Sequence, residues 1–402
     1  MSRRRVLLQL GALIVGAWVG VDAADDFTSE AIFTDARGHV HASSIVETPA
    51  GALLAAWYEN GDPTGSGPFE GQDMDKRQDV RISGARRAPG STRWSRPYTL
   101  ADTVDLPDNN PALGIDDAGR LWLVHATLLG VPEKAWGSAL TRALVSTDYE
   151  RDGTPRWDAS HTVVPKPPGF TTAVARAAEA LRVGPGRTTE VAARANRMLA
   201  EASDPYARHL GWMPRNHPLV LPGGRLLVPL ANENVNMAAM AIADGDGARW
   251  TFSAAVPTAG VIQPSVVRLA DGTLQAYFRD ARGTGRIARS TSADEGLTWS
   301  DAAPIDLPNP SGGIEAIVLG SGSIAVVHND QTGPERDRLS IALSADGGRT
   351  WPTRKVIVHV PGERFDYPSI VQARDGRIHV TFSDNLKTIR HVSFTERWIT
   401  TP

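Results

Sequence analysis

Six short segments of the chain each place a polar side chain at the start of an apolar run. Their side chains include types that perform acid–base and nucleophilic chemistry: histidine, with an unperturbed pKa of about 6.5, suits proton transfer, and tyrosine can be activated as a nucleophile. Their repeated placement indicates one shared polar site. The segments are His41-Ala42-Ser43, Asn110-Pro111-Ala112, His217-Pro218-Leu219, Gln263-Pro264-Ser265, Ile314-Glu315-Ala316 and Tyr367-Pro368-Ser369.

Other kinds of site are excluded by composition and pattern. The chain has no cysteine, so disulfides, thiolate metal ligands and a cysteine nucleophile are not available. His39-x-His41 is too short and too common to predict a metal site, and the sequence has no glycine-rich phosphate-binding loop. With 42 Lys+Arg against 45 Asp+Glu, it lacks the basic charge typical of nucleic-acid-binding proteins. We therefore expect no cofactor, no metal and no nucleic-acid partner.

A repeated motif indicates how six separate segments can meet. Ser292–Trp299 and Ser344–Trp351 both have the pattern S-x-D-x-G-x-T-W, and degenerate copies end at Trp94, Trp157 and Trp250. Repeats of about 40–50 residues are typical of β-propellers, in which each repeat forms one four-stranded blade. The motifs therefore predict a ring of blades.

The apolar runs predict how many blades there are. Two runs separated by a Gly, Asp or Pro turn precede each motif, as expected for a hairpin. An alanine-rich stretch at about residues 170–209 interrupts the period and predicts two helices, Ala173–Leu181 and Thr188–Ala202. The sixth unit lacks a strand, which Ala31-Ile32-Phe33 can supply, so that the two ends of the chain close the ring. The sequence predicts an all-β fold, a six-bladed β-propeller with a helical insert.

The N-terminus has the pattern of an export signal. Arg3–Arg5 precede an apolar run from Val6 to Val21, followed by small residues up to Ala23. We expect residues 1–23 to be a signal peptide and residues 24–402 to form one propeller domain of a periplasmic or extracellular protein. An uncleaved N-terminal membrane anchor is the alternative. No other stretch is long and apolar enough to predict a membrane span.

The tryptophan motifs and the first-strand segments resemble those of the sialidase (neuraminidase) superfamily, specifically bacterial Asp-box (BNR-repeat) proteins described as predicted neuraminidases. The resemblance covers about residues 39–395. It implies a structural role for the motifs, because Asp accepts turn hydrogen bonds, Gly permits the tight turn and Trp packs between strands. Sialidases bind a sugar carboxylate with three arginines. They use a tyrosine nucleophile activated by a glutamate, with an aspartate as acid/base.

The resemblance implies roles for individual residues. Tyr367, which opens the last blade, matches the nucleophile, and Asp75, in the long loop Gly61–Arg77, matches the acid/base. Arg286 and Arg338, at the starts of third strands, are expected to bind the substrate carboxylate.

Two positions depart from the family pattern. His41-Ala42-Ser43 stands where the family has Arg-Ile-Pro. Gln263 stands where the family has the activating glutamate, and an amide cannot take up the proton. Glu315, in the next blade, is the candidate replacement.

Three functions follow from this pattern. The first is an exported, exo-acting glycoside hydrolase for terminal acidic sugars of glycans. The second is a propeller hydrolase or lyase for uronic-acid or rhamnose glycans, in which His41 or His217 moves the proton with help from Tyr367. Arg338 or Arg279 then neutralises a carboxylate with its planar fork. The third is a propeller that binds glycans without cleaving them. Further glycan contacts are expected from Asn110, His217 and Gln263.

Overall fold

The paired apolar runs form antiparallel hairpins in the computed structural model. The structure describes residues 26–35, 37–61, 73–130, 136–183 and 188–401. The expected signal peptide and most of the loop before Asp75 lie outside these residues. Six antiparallel sheets follow one another along the chain and form the blades of a ring, as predicted.

Each blade is a meander whose first strand lies against the first strands of its neighbours. For example, β2 contacts both β6 and β23, and β19 contacts β15 and β23, so the first strands surround the centre of the ring. The first three blades are β2 (Val40–Glu47), β3 (Leu53–Asn60), β4 (Val80–Arg87) and β5 (Tyr98–Ala101); β6 (Asp108–Ile115), β7 (Leu121–Leu128), β8 (Ala139–Ser146) and β9 (Ala159–Val163); and β10 (Trp212–Met213), β11 (Leu219–Val220), β12 (Leu226–Asn232), β13 (Met237–Ala243) and β14 (Trp250–Phe252). The last three are β15 (Val261–Arg268), β16 (Leu274–Asp280), β17 (Arg286–Ser292) and β18 (Ala303–Pro308); β19 (Glu315–Val318), β20 (Ile324–Asn329), β21 (Arg338–Ser344) and β22 (Thr353–His359); and β23 (Phe365–Gln372), β24 (Ile378–Asp384), β25 (Thr388–Phe394) and β1 (Phe27–Ala31).

The N-terminal strand closes the ring, but it begins earlier than predicted. β1 pairs antiparallel with β25, from Phe27 opposite Phe394 to Ala31 opposite Arg390. Ile32 and Phe33, which were expected in the strand, instead leave the sheet and are buried, with Phe33 stacked on Trp57. The prediction placed the strand on the most apolar residues, whereas these residues fill the junction between the last and first blades.

The S-x-D-x-G-x-T-W motifs form the turns between third and fourth strands. In the first copy, Asp294 accepts hydrogen bonds from the Thr298 amide (2.9 Å) and hydroxyl (2.5 Å), and Trp299 is buried. Asp346 and Thr350 repeat these contacts in the second copy. The motifs therefore have the structural role that was expected of them.

The helical insert packs on the second and third blades. Phe170 and Met198 contribute to the core cluster that these blades share, and Phe170 lies 5.4 Å from Trp212 between ring centroids. No helix in the described part of the chain is long and apolar enough to span a membrane. The helices are α1 (Phe170–Val183), α2 (Thr189–Ser203), α3 (Pro205–His209) and, at the C-terminus, α4 (Glu396–Thr400); Met74–Lys76 forms one 3₁₀ turn.

Candidate active site

A β-bulge at the same place in four first strands organises the site. In β2, β6, β15 and β23, the pairing with the second strand shifts just after the strand begins. In each of these strands, the first residue inside the shifted stretch is not glycine but has a positive φ. This conformation costs about 1–3 kcal/mol and is concentrated at functional sites. These residues are Ala42 (φ 56°), Asn110 (51°), Gln263 (52°) and Tyr367 (49°).

The bulges also correct the comparison between blades. In β2 the last paired residue before the shift is His41, and in β23 it is Asp366, so Ala42 rather than His41 is the counterpart of Tyr367. His41 nevertheless reaches Tyr367 from the adjacent blade, with the two rings edge to face and 4.3 Å apart. The predicted pair is therefore brought together through a different register.

The Tyr367 hydroxyl accepts two hydrogen bonds from side chains of the fourth blade. Arg279 Nη1 donates at 3.0 Å and Gln263 Nε2 at 3.3 Å. Arg279 is held in turn by its Nε, which donates to the Ser311 hydroxyl at 3.2 Å. Two fixed donors, one of them cationic, stabilise negative charge that develops on the phenol oxygen.

Of the three predicted arginines, Arg279 contacts Tyr367, whereas Arg286 and Arg338 lie elsewhere. Arg286 is exposed and paired with Asp306 at 2.7 Å on the outer strands, and Arg338 begins β21 opposite the outer strand β22. The structure brings neither to Tyr367. Instead Arg336, two residues before β21, donates to the Ser311 carbonyl at 2.9 Å and so lies beside Arg279. Strand starts were the wrong criterion, because the site faces the ends of second strands and the loops before third strands.

Arg336 is also tied to the residue before the nucleophile candidate. Its Nη1 donates to Asp366 Oδ1 at 2.9 Å, and Arg364 pairs with the other carboxylate oxygen. Burial raises the pKa of Asp366, but the charges of Arg336, His41 and Arg364 outweigh this and lower it. Asp366 is therefore an anion that fixes Arg336 next to the site.

Asp75 lies in a polar cluster on the other side of Tyr367. Asp75 Oδ1 is 2.5 Å from His39 Nε2 and accepts a hydrogen bond from the Tyr58 hydroxyl at 2.9 Å. His41 packs edge to face on both Tyr58 and Tyr367. The predicted Asp75, His41 and Tyr367 thus belong to one contiguous group, which sequence reasoning had assembled without His39 and Tyr58.

The protonation states within this cluster follow from burial and charge. Burial raises the pKa of Asp75, but the hydrogen bond and charge of His39, with His41 and Tyr58, outweigh this and bring it to about 2. Burial also lowers the pKa of His41 to about 3, despite the charges of Asp366 and Asp75. His41 is therefore a neutral imidazole at ordinary pH. His39 Nε2 and Asp75 Oδ1 are close enough to share a proton.

Glu315 and His217 form a buried layer away from the Tyr367 hydroxyl. Glu315 accepts hydrogen bonds from the backbone amides of His217 (2.8 Å) and Ile370 (2.9 Å) and lies 2.9 Å from His217 Nδ1. Burial raises the pKa of Glu315, but the charge and hydrogen bond of His217 lower it overall. Arg215, also buried, stacks on the Tyr367 ring at 4.9 Å. Glu315 thus connects the segments of His217 and Ile370 through hydrogen bonds. It does not replace the missing activating glutamate.

Sequence reasoning missed Glu233 at the β12–β13 hairpin. Asn232 and Asn234 fix this hairpin by donating to backbone carbonyls of Ala207 and Leu210 in the insert. Burial raises the pKa of Glu233 to about 7, and Arg279 is the charge that opposes this shift. Asn-Glu-Asn between two apolar runs was the available signal, although it indicates a turn and not a site.

Parts of this chain are similar to known proteins. A family model described as a BNR repeat-like domain matches residues 194–380. An anhydrosialidase of Macrobdella decora is 27% identical over 183 residues, which are 40% of this chain and 23% of that protein. A sialidase of Micromonospora viridifaciens is 27% identical over 203 residues, 48% of this chain and 29% of that protein. The matched parts thus span less than a third of either relative.

A solved structure extends the likeness to nearly the whole chain. A Hadza microbial sialidase superposes with a TM-score of 0.68 at 15% identity, covering 92% of this chain and 69% of that chain. At this identity the likeness concerns the fold. The family model and the curated relatives together show that the chain is similar to proteins of the sialidase/BNR-repeat superfamily.

Proposed function

We propose that the protein is an exo-acting, sialidase-type glycoside hydrolase for terminal acidic sugars of glycans, with Tyr367 as its nucleophile. The observation that carries this proposal is the Tyr367 hydroxyl, which lies on a strained bulge and receives hydrogen bonds from Arg279 and Gln263. Sialidases are the glycosidases that replace the carboxylate nucleophile with tyrosine. A neutral phenol avoids placing a carboxylate against an anionic sugar.

The arginine side of the site supports an acidic substrate. Arg279 and Arg336 are held beside each other through Ser311, and planar guanidinium groups bind carboxylates in two places. A carboxylate bound there would hold the neighbouring sugar carbon near Tyr367.

The acid side is the His39–Asp75 pair. In the proposed reaction this pair donates a proton to the leaving-group oxygen as Tyr367 attacks, and the phenol proton of Tyr367 passes to solvent. When the glycosyl-tyrosine is hydrolysed, the pair takes a proton from the attacking water and the tyrosine oxygen takes one back from solvent. Tyr58 and the Asn109 side chain, which donates to the Asp75 carbonyl at 2.9 Å, hold Asp75 in place.

The mechanism with His41 as the base has less support. Its pKa of about 3 makes it a weak base, and its Nδ1 lies 3.0 Å from the Ser383 hydroxyl. Gln263 favours a different second candidate, a propeller that binds glycans without cleaving them, because no base touches the Tyr367 hydroxyl among the described residues. On the N-terminal pattern, we also propose that residues 1–23 direct export and that residues 24–402 form one domain.

Hydrolysis of a fluorogenic sialoside between pH 4 and 8 separates the two candidates. The proposal expects turnover by the wild-type protein and a loss of at least about a hundredfold in Tyr367→Phe, because the nucleophile is removed. Saturable glycan binding with no product at any pH in this range supports the non-catalytic candidate instead. Arg286→Gln, on the outer strands, is the matched control and should keep full activity.

A further inference from the structure

Two arginines, one from the helical insert, cover a glycine at the edge of the candidate site. A Cβ atom on Gly260 would lie 3.0 Å from Arg194 Nη2 and 2.7 Å from Arg282 Cγ. Arg194 belongs to α2 and Arg282 to the β16–β17 loop, so the insert and the fourth blade meet at this point. Arg197, three residues further along α2, is exposed.

The group formed by Arg194, Arg197 and Arg282 contains more positive charges than its paired carboxylate balances. Arg282 takes both carboxylate oxygens of Asp280, at 2.9 and 2.6 Å. Neither Arg194 nor Arg197 has an ion pair or hydrogen bond from its side chain within the ranges the structure describes. Burial and the charges of Arg197 and Arg282 lower the pKa of Arg194, as expected where like charges are held together. Like charges are therefore held together here, and the nearby carboxylate of Asp280 is already paired with Arg282.

The group lies next to the ends of the two strands that carry Gln263 and Arg279, the residues that bind the Tyr367 hydroxyl. Gly260 precedes Gln263 by three residues and Arg282 follows Arg279 by three, at the paired ends of β15 and β16. Three residues of extended chain span about 10 Å at about 3.3 Å per residue, so Gly260 and Arg282 lie about that far from Gln263 and Arg279. This is within reach of the unit to which a terminal sugar is attached.

We propose that Arg194, Arg197 and Arg282 form a second anion-binding subsite, which accepts a carboxylate or sulfate ester on the sugar unit next to the terminal one. The preferred substrate is then a glycan with two adjacent acidic units. This inference rests on the proposed function, because it names the substrate class of the same site. The helical insert serves as the element that supplies two of the three arginines.

Calorimetric titration tests the subsite without relying on turnover. The probes are matched pairs that resist hydrolysis or lack sialic acid: the thio-linked α2,8 dimer of N-acetylneuraminic acid against the methyl thioglycoside of the monomer, and digalacturonate against galacturonate. A thio-linked 6-sulfated sialyl-galactoside separates sulfate from carboxylate recognition. We expect the wild-type protein to bind a doubly charged probe about tenfold more tightly than its singly charged partner. The preference should shrink with salt, because exposed charges are screened.

The variant Arg194→Gln/Arg197→Gln should lose this preference while binding the singly charged probes as before. Arg176→Gln, an exposed arginine of α1, is the matched control and should keep the preference. Equal binding of single and double charges by the wild type, or equal weakening of both by the double variant, overturns the proposal. A preference for digalacturonate without hydrolysis of any sialoside would retain the subsite and count against the proposed function alone.

Discussion

Tyr367 is held from several directions before any substrate is present. His41 packs against its edge, Arg215 against its face, and Arg279 and Gln263 bind its hydroxyl. Such fixed surroundings lower the reorganisation needed during reaction. At this scale the sequence was informative where a residue type is chemically distinctive and tied to a strand start, as for Tyr367.

The sequence was less informative for residues that reach the site from loops. Arg336 and Glu233 lie in segments whose path depends on packing between blades, so no local pattern distinguishes them from surface charges. His39 had a usable signal, since it lies just before β2, two residues from His41, and their rings are 5.7 Å apart. Alternation along an extended segment therefore identifies neighbouring side chains from the sequence, whereas residues in loops are placed by the fold.

Glu233 should make stability depend on pH. The pKa of Glu233 is raised from 4.5 to about 7. The native protein therefore holds this proton more tightly than the unfolded chain does. The stability is fully present below pH 4.5 and is lost as the pH rises through about 7. Glu233→Gln should therefore unfold like the wild type near pH 4 and be more stable near pH 8, by up to about 3 kcal/mol. Thermal unfolding at the two pH values measures this.

Glu179→Gln, which changes an exposed glutamate of α1, is the control for that experiment and should show no such dependence. A Glu233→Gln effect of equal size at both pH values would contradict the assignment.

At the scale of elements, the β-bulge in four of the first strands positions the side chains of the candidate site. The hairpins and their turns were predictable from alternating apolar runs, and the helices were found to within a few residues. The bulges were not, because a strand with positive φ at a non-glycine residue has no sequence signature beyond the following proline at Asn110, Gln263 and Tyr367. Backbone strain of this kind is fixed by the surrounding blades.

Gly313, just before β19, tests how closely the neighbouring blade fits Tyr367. A Cβ atom there would lie 3.1 Å from Tyr367 Cδ1 and 3.3 Å from Cγ, so Gly313→Ala must displace the ring by a few tenths of an ångström. We expect kcat/KM to fall about tenfold because misplaced reacting groups react slowly. The melting temperature should change little.

Gly320→Ala is the matched control in the same blade, since its Cβ would make an ordinary contact of 3.5 Å with Gln372 Oε1. Unchanged kcat/KM in Gly313→Ala would show that the Tyr367 ring is not held by this contact.

The whole molecule is stabilised between blades and by closure of the ring. Core clusters lie at the junctions of adjacent sheets, and Phe27 of β1 stacks on Phe394 and Trp398 at the closing blade. Blade number, insert and closure were predictable because the repeat has a fixed period and a ring leaves one strand to be supplied. The register between blades was not predictable from the sequence. This register decides which first-strand residues face each other.

The proposed central step is attack by Tyr367 on the sugar, and a trapping experiment tests it most directly. A fluorinated sialosyl fluoride slows release of a glycosyl-enzyme, and peptide mass spectrometry then locates the modified residue. We expect one sugar adduct on the peptide that contains Tyr367, and none on the Tyr367→Phe protein. An adduct on a different residue, or a sialoside turned over by Tyr367→Phe at the wild-type rate, would contradict it.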